Sequence, residues 1–177
     1  IGDIGDVLRN FLEEQVKGIS QKLSLSNKNV TSETIWKILS PFCTLEGTKE
    51  PISKKELAER LPDIDKKLID ESVEAFVNSR ILNFSENVNL YELAHDSLAL
   101  RIAEKRSDEE ISLLEVRRLI KNQVALKQDA RELFSKKQLN FIEPYLHKLN
   151  LAEDEKALIA QSKEADHKAE TKKKTRR

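Results

Sequence analysis

The sequence is poor in the residues that break, bend or cross-link a chain. Its 177 residues include four glycines, four prolines, one cysteine and no methionine. So little glycine and proline, with 35% charged and 38% apolar residues, favours helices over a β-sandwich or a disordered chain. The single Cys43 cannot form an intrachain disulfide, and the N-terminus shows no signal-peptide pattern. We therefore expect a reducing, cytoplasmic setting.

Long apolar runs and an excess of one charge are also missing. No apolar stretch approaches the roughly 20 residues that a membrane-spanning helix needs, so we expect no membrane partner. Lys plus Arg and Asp plus Glu both number 31, so no net field recruits nucleic acid or an acidic surface. The chain begins without methionine and ends inside a charged run, and we expect it to be a fragment of a longer polypeptide.

Motifs of independent catalysis are missing as well. None of the four glycines belongs to a Gly-x-x-x-x-Gly-Lys-Ser/Thr loop, whose backbone N–H groups would wrap phosphates. There is no Gly-x-Ser-x-Gly stretch, and the acids are not spaced with His or Cys as metal ligands. Cys43 has no nearby histidine and is predicted to be a small buried residue, not a nucleophile. We expect no enzyme activity, cofactor or metal in this chain itself.

Helical periodicity is what the sequence has in abundance. Two short β-favouring runs, 81–84 and 88–93, follow the third short helix and predict a hairpin joined at 85–87. Three short helices and a hairpin are the order of a winged helix-turn-helix. Apolar residues at three- and four-residue steps predict four helices. They cover 4–23, 31 or 32 to about Pro41, 54–61 with Pro62 as the stop, and a last one capped by Asp63 or Asp65 that reaches about Ser79. The predicted shared core is Trp36, Leu57, Leu68, Phe76, Leu82 and Leu93.

Helices are predicted to continue after the hairpin. One begins at the capping box 107–110 and reaches about Phe134, a second covers 136–149 with a bend at Pro144, and a last one follows Leu151. We expect a mainly α fold with three regions: a lead-in helix over 1–30, a winged-helix domain over 31–106, and a helical extension over 107–177. Beyond Ser162 apolar residues are scarce, which predicts a frayed end.

The stretch Tyr91–Arg106 organises the rest. It begins as a strand, turns at His95 and Asp96, and continues as a helix for which Asp96 or Ser97 is the expected N-cap. A histidine at a strand-to-helix junction lies where free backbone N–H groups and the helix dipole favour an anion. His95 therefore either donates a ring N–H to a phosphate or satisfies a local carbonyl, and position alone leaves both open.

These residues resemble the winged-helix end of STAND-type signalling NTPases. The run from His95 to Ala99 is similar to the His-Glu-Ala/Ser-Leu-Leu stretch of the bacterial branch, with Asp96 in place of Glu and Ala99 in place of Leu. Ala94-His95-Asp96 also differs by one residue from the Met-His-Asp signature of the plant and animal relatives. Further stretches that resemble the family in order and spacing are Ile4–Phe11, Trp36–Phe42, Glu56–Leu61, Val73–Leu82 and Leu151–Ser162.

The resemblance implies a role that the residues alone do not establish. In such proteins a P-loop NTPase domain precedes the winged helix in the same polypeptide, and sensor or repeat domains follow the helical arm. The matching histidine, here His95, contacts the β-phosphate of bound ADP (or GDP) and holds the inactive state, and Asp96 would fix the turn and cap the helix. ADP/ATP or GDP/GTP is thus implied for the parent protein, not for this chain. An upstream domain would also leave apolar surface exposed on Val7, Phe11 or Leu12.

Two other classes of function remain as alternatives. A winged-helix transcriptional regulator would present its second helix to DNA, but that helix offers Lys66 and Lys67 against Asp70, Glu71 and Glu74, a face that phosphates would repel. We therefore expect no nucleic-acid partner. A helical scaffold would keep the fold without the His95 role. The basic run 172–177 is interpreted as a solvated helix face.

Overall fold

The computed structural model describes residues 3–126 and 128–177. Those residues form eight α-helices and one two-stranded antiparallel sheet, which confirms the mainly helical class. They divide into two compact units, Ile1–Glu109 and Glu110–Arg177. None of the described helices combines the length and apolar character that crossing a bilayer would demand.

The first unit contains five helices and the hairpin. A 3₁₀ turn, Ser40–Phe42, follows the second helix at Pro41, as the sequence predicts from the proline. The elements are α1 (Ile4–Ser24), α2 (Ser32–Leu39), α3 (Lys54–Arg60), α4 (Lys66–Asn78), β1 (Leu82–Ser85), β2 (Leu90–Leu93) and α5 (Asp96–Glu104).

A third chain segment, at Ile52, pairs with the hairpin and extends the sheet. Leu82 lies opposite Leu93 and Phe84 opposite Tyr91 in the antiparallel register. The backbone of Tyr91 exchanges two hydrogen bonds with that of Ile52, at 2.8 and 3.0 Å. β2 therefore lies between Ile52 and β1, and the sheet closes one side of the core.

The predicted core is confirmed for five of its six members. Leu57, Leu68, Phe76, Leu82 and Leu93 are buried within one cluster that α1 also joins. Trp36 lies at its margin, where the Lys105 ammonium is 5.3 Å from the ring centroid. On α1 the expected apolar exposure is found at Val7, which is 62% exposed, whereas Leu12 is fully buried.

The second unit contains three helices around a smaller core. Val116, Ile120, Phe134 and Ile142 are among its buried side chains. The elements are α6 (Asp108–Ala125), α7 (Lys136–Ile142) and α8 (Glu153–Thr175), with 3₁₀ turns over Gln128–Ala130 and Glu143–Lys148. The second turn contains Pro144, where the bend was predicted.

The prediction of one helix from 108 to 134 is wrong in its last third. α6 ends at Ala125. The predicted helix also included Lys127, which lies outside the described residues. The Arg131 guanidinium folds back and donates to the carbonyl oxygens of Val124, at 2.5 Å, and Leu126, at 2.9 Å. A side chain that follows the helix thus satisfies carbonyl oxygens at its end, and apolar periodicity cannot reveal such a contact.

Beyond Ser162, where the sequence predicts a frayed end, α8 continues as a helix to Thr175. Several polar contacts involve this helix. Lys136 pairs with Glu170, Lys168 pairs with Glu164 at 2.8 Å, and the Ser162 hydroxyl accepts the backbone N–H of Phe134 at 3.0 Å.

Candidate functional site

His95 occupies the junction between β2 and α5, as predicted. Its backbone is extended, with φ −137° and ψ 141°, and its carbonyl accepts the Leu98 N–H at 3.2 Å. The side chain is exposed, and the ring makes no hydrogen bond or ion pair with any described residue. The sequence left two roles open for the ring, and one of them, a hydrogen bond to a local carbonyl, is not formed by the described residues.

Asp96 does not cap the helix. His95 is the N-cap residue, Asp96 is the first helical residue, and no side chain forms a cap hydrogen bond at this end of α5. The expected cap on Asp96 or Ser97 is therefore wrong, because a capping side chain must come from the extended residue that precedes the helix. The Asp96 carboxylate, 90% exposed, still lies where the helix dipole favours a negative charge.

A lysine that sequence reasoning missed lies beside the junction. The Lys49 ammonium is 2.7 Å from a Glu92 carboxylate oxygen and 3.7 Å from Asp96. The hydrogen bond with Glu92 is the main cause of a raised pKa for Lys49, so this cation stays charged at neutral pH. Lys49 is more than 40 positions from these carboxylates in sequence, and the pairing of the Ile52 segment with β2 brings it to them.

An ion-pair network, which we call the clasp, joins α5 to α1. Lys105 pairs with Glu13 at 2.9 Å, and Arg101 also donates to Glu13. Arg9 and Arg101 both reach Glu104, at 3.2 and 3.0 Å. Since α5 starts at His95, the clasp fixes the orientation of the helix whose first turn adjoins that histidine.

A buried arginine fixes the other end of α5. Arg106 donates to the Ser40 hydroxyl at 2.8 Å, to the carbonyl oxygens of Ser40 and Thr44 at 2.7 Å each, and to that of Cys43. Cys43 is buried, as predicted, and its thiol donates to the Ala99 carbonyl at 3.0 Å. Burial raises the pKa of this thiol, which keeps it protonated and unreactive.

Because of the clasp, the free energy of unfolding should depend on pH in the acid range. Burial would raise the pKa of Glu13, but hydrogen bonds from Lys105 and Arg101 outweigh it and hold this pKa below its ordinary value. A depressed pKa contributes stability above the unfolded-state value, near 4.3, that is lost as pH falls through the folded-state value. We expect Glu13→Gln to destabilise at pH 7 and to lose that effect below about pH 4.

Urea unfolding at several pH values, followed by the fluorescence of the only tryptophan, Trp36, measures this dependence. Glu14→Gln is the matched control, since Glu14 is the exposed neighbour on the same helix. A destabilisation by Glu13→Gln that is equal at pH 7 and pH 3 would contradict the proposed charge interaction.

The face that a DNA-reading helix would use is electrically balanced. Lys67 is 3.9 Å from Glu71 on α4, and Lys54 of α3 is 3.9 Å from Asp70. Glu74 is exposed and has no ion-pair partner among the described residues. Lys66 is likewise exposed without an ion-pair partner among the described residues, so Glu74 offsets it and the face carries no net positive charge.

The described residues contain no cluster of three or more His, Cys, Asp or Glu side chains arranged for a metal ion. No protein-family model, curated protein or solved structure matches this chain.

Proposed function

We propose that this chain is a regulatory and interaction module of a STAND-type signalling NTPase. Residues 31–106 would be a winged helix that closes over a bound nucleoside diphosphate and holds the inactive state. The P-loop NTPase domain and a sensor or repeat domain would belong to the same polypeptide. The nucleotide would be ADP/ATP or GDP/GTP, and the setting cytoplasmic.

The exposed, unengaged ring of His95 carries this proposal. A histidine whose ring has no intramolecular partner is free to donate a charge-assisted hydrogen bond to an anion. The first backbone N–H groups of α5 adjoin it, and the Lys49 ammonium partly offsets the neighbouring carboxylates of Glu92 and Asp96. A phosphate is the ligand that such a surface suits best.

The order of the elements gives further support. Three short helices, α2, α3 and α4, precede a hairpin whose second strand also pairs with the Ile52 segment. This is the arrangement expected for a winged helix, with Ile52 in the place of the first strand. The α1 helix packs on the same core, as a lead-in helix would.

Nucleotide titration of the complete polypeptide tests the function. Isothermal titration with ADP and with GDP, on wild type and His95→Ala, should show which diphosphate binds and whether the histidine contributes. If His95→Ala binds ADP and GDP with the same affinities as wild type, His95 contributes nothing to binding and the chain is a helical scaffold.

A winged-helix DNA-binding regulator is the runner-up, and the balanced charge on α4 speaks against it. We expect no salt-dependent retention of the chain on duplex DNA, because phosphate-binding proteins release counterions and the acids of this face offset its lysines. A gel-shift series between low and physiological salt measures it. Submicromolar binding that falls steeply with salt would reverse the ranking of the two functions.

The stability of this chain distinguishes a functional His95 from a structural one. We expect His95→Ala to leave the free energy of unfolding almost unchanged, since the ring contacts no described partner. Asp96→Ala should cost less than about 1 kcal/mol, because only the dipole interaction and a long contact with Lys49 are lost. Urea unfolding of both variants measures this, and a core-sized loss on His95→Ala would show a structural role.

A further inference from the structure

A groove, which we call the wing groove, opens between α4 and the outer part of the hairpin. The rings of Phe84 and Tyr91 form one wall, with centroids 4.6 Å apart. Val73 and Val77 of α4 form the apolar floor, and Lys54 and Glu74 lie at the rim. No step of the proposed nucleotide contact uses these residues.

The size of the wing groove restricts what can occupy it. Its volume is about 240 Å³, below the roughly 300–1,000 Å³ of sites that enclose small-molecule ligands. A nucleotide or a comparable cofactor would not be enclosed. One or two apolar side chains from another polypeptide fit the space and the lining.

The backbone beside the groove offers a hydrogen-bonding edge. Because Tyr91 directs its N–H and C=O to Ile52, its opposite residue Phe84 forms a non-hydrogen-bonded pair with it and directs its own N–H and C=O away from β2. Phe84 is 41% exposed, and no described residue bonds to these groups. An extended segment could pair there, as peptides do at open sheet edges.

Charge at the rim indicates the chemistry of that segment. Glu74 is exposed and has no ion-pair partner among the described residues, whereas Lys54 lies 3.9 Å from Asp70. The rim is therefore negative on balance. A basic residue next to the apolar anchor would complement Glu74, and a phosphate backbone would be repelled.

We propose that the wing groove binds an extended segment of a partner protein. One apolar side chain enters between Phe84 and Val77, a neighbouring Lys or Arg pairs with Glu74, and the backbone pairs with the open edge at Phe84. This binding does not depend on a nucleotide, so its failure would leave the role proposed for His95 untouched.

Selection of peptides on this chain tests the proposal. A phage-displayed library of random 12-residue peptides is panned on the immobilised chain, and the enriched consensus peptide is synthesised with a fluorophore for polarisation measurements. We expect an apolar residue flanked by Lys or Arg. Phe84→Ala and Val77→Arg should each weaken binding by at least about tenfold, since both change the centre of the contact.

A charge exchange provides the specific readout. Glu74→Lys should reverse the preference between two peptides that differ only in a flanking Lys or Glu, by about fivefold, and a surface charge exchange leaves the fold intact. Phe141→Ala is the matched control, because Phe141 is 39% exposed and pairs with Tyr145 in the second unit. Absence of enrichment, or a consensus that binds wild type, Phe84→Ala and Glu74→Lys equally, would overturn the proposal.

Discussion

In the complete polypeptide, His95→Ala is expected to weaken nucleoside diphosphate binding by roughly ten- to a hundredfold. A charge-assisted hydrogen bond to a phosphate oxygen contributes roughly 1.5–3 kcal/mol net, and every 1.4 kcal/mol is a factor of ten in affinity. Removal of the His95 ring breaks no other contact, because the ring makes none with the described residues. Isothermal titration with the diphosphate measures the change directly.

The same substitution should shift the parent protein towards its active form. Only the closed state would make the His95 contact, so its loss would favour the open state by the same free energy. His95→Gln, which keeps a side-chain N–H donor, should recover part of the affinity. His147→Ala is the control, since His147 is exposed in the second unit. Unchanged affinity and unchanged activity in His95→Ala would remove the switch role from this residue.

Arg106→Met is expected to lower the free energy of unfolding of the first unit by about 3–5 kcal/mol. The buried charge-assisted hydrogen bonds of Arg106 would be lost, and such bonds contribute roughly 1.5–3 kcal/mol each before water or relaxation recovers part of it. The Cys43 carbonyl would be left without a donor, whereas the carbonyls of Ser40 and Thr44 would keep the backbone N–H groups of Cys43 and Gly47. For a unit of this size the melting temperature should fall by more than about 10 °C. The fluorescence of Trp36, which belongs to this unit, follows the transition.

Arg101→Met is the matched control for that experiment. Arg101 is on α5, which ends just before Arg106, but its side chain is 26% exposed and pairs with Glu13 and Glu104. Surface ion pairs contribute at most about 1 kcal/mol, so the control should unfold close to wild type. Similar losses for the two variants would show that Arg106 is no more than another surface charge.

Much of the first unit could be predicted from local sequence. Periodic apolar residues placed α1 within one residue of its observed end, and Pro41 and Pro62 marked the ends of α2 and α3. The hairpin was recognised by its β-favouring residues, although its turn is longer than predicted. These features depend on neighbours within a few positions, which the sequence displays directly.

Local sequence also determined the position of His95, but it did not determine that the His95 ring is exposed and free to bind a ligand. A strand followed by a helix places the residue at a junction, whereas the exposed ring without a partner and the nearby Lys49 depend on how other segments fold around it. The expected Asp96 cap failed by one residue. A cap depends on which residue stays extended, and pattern alone locates helix ends only approximately.

Only the tertiary structure decided which charged residues are buried and where the later helices end. Arg101 and Arg106 look alike in sequence, five positions apart, yet only Arg106 reaches the carbonyl oxygens that follow α2. Arg131 binds the carbonyl oxygens at the end of α6 through a similar contact, and the wing groove is lined by residues of α3, α4 and the hairpin that only the fold brings together. The physical reason is that buried backbone groups need hydrogen-bond partners, and apolar periodicity does not show which side chain supplies them.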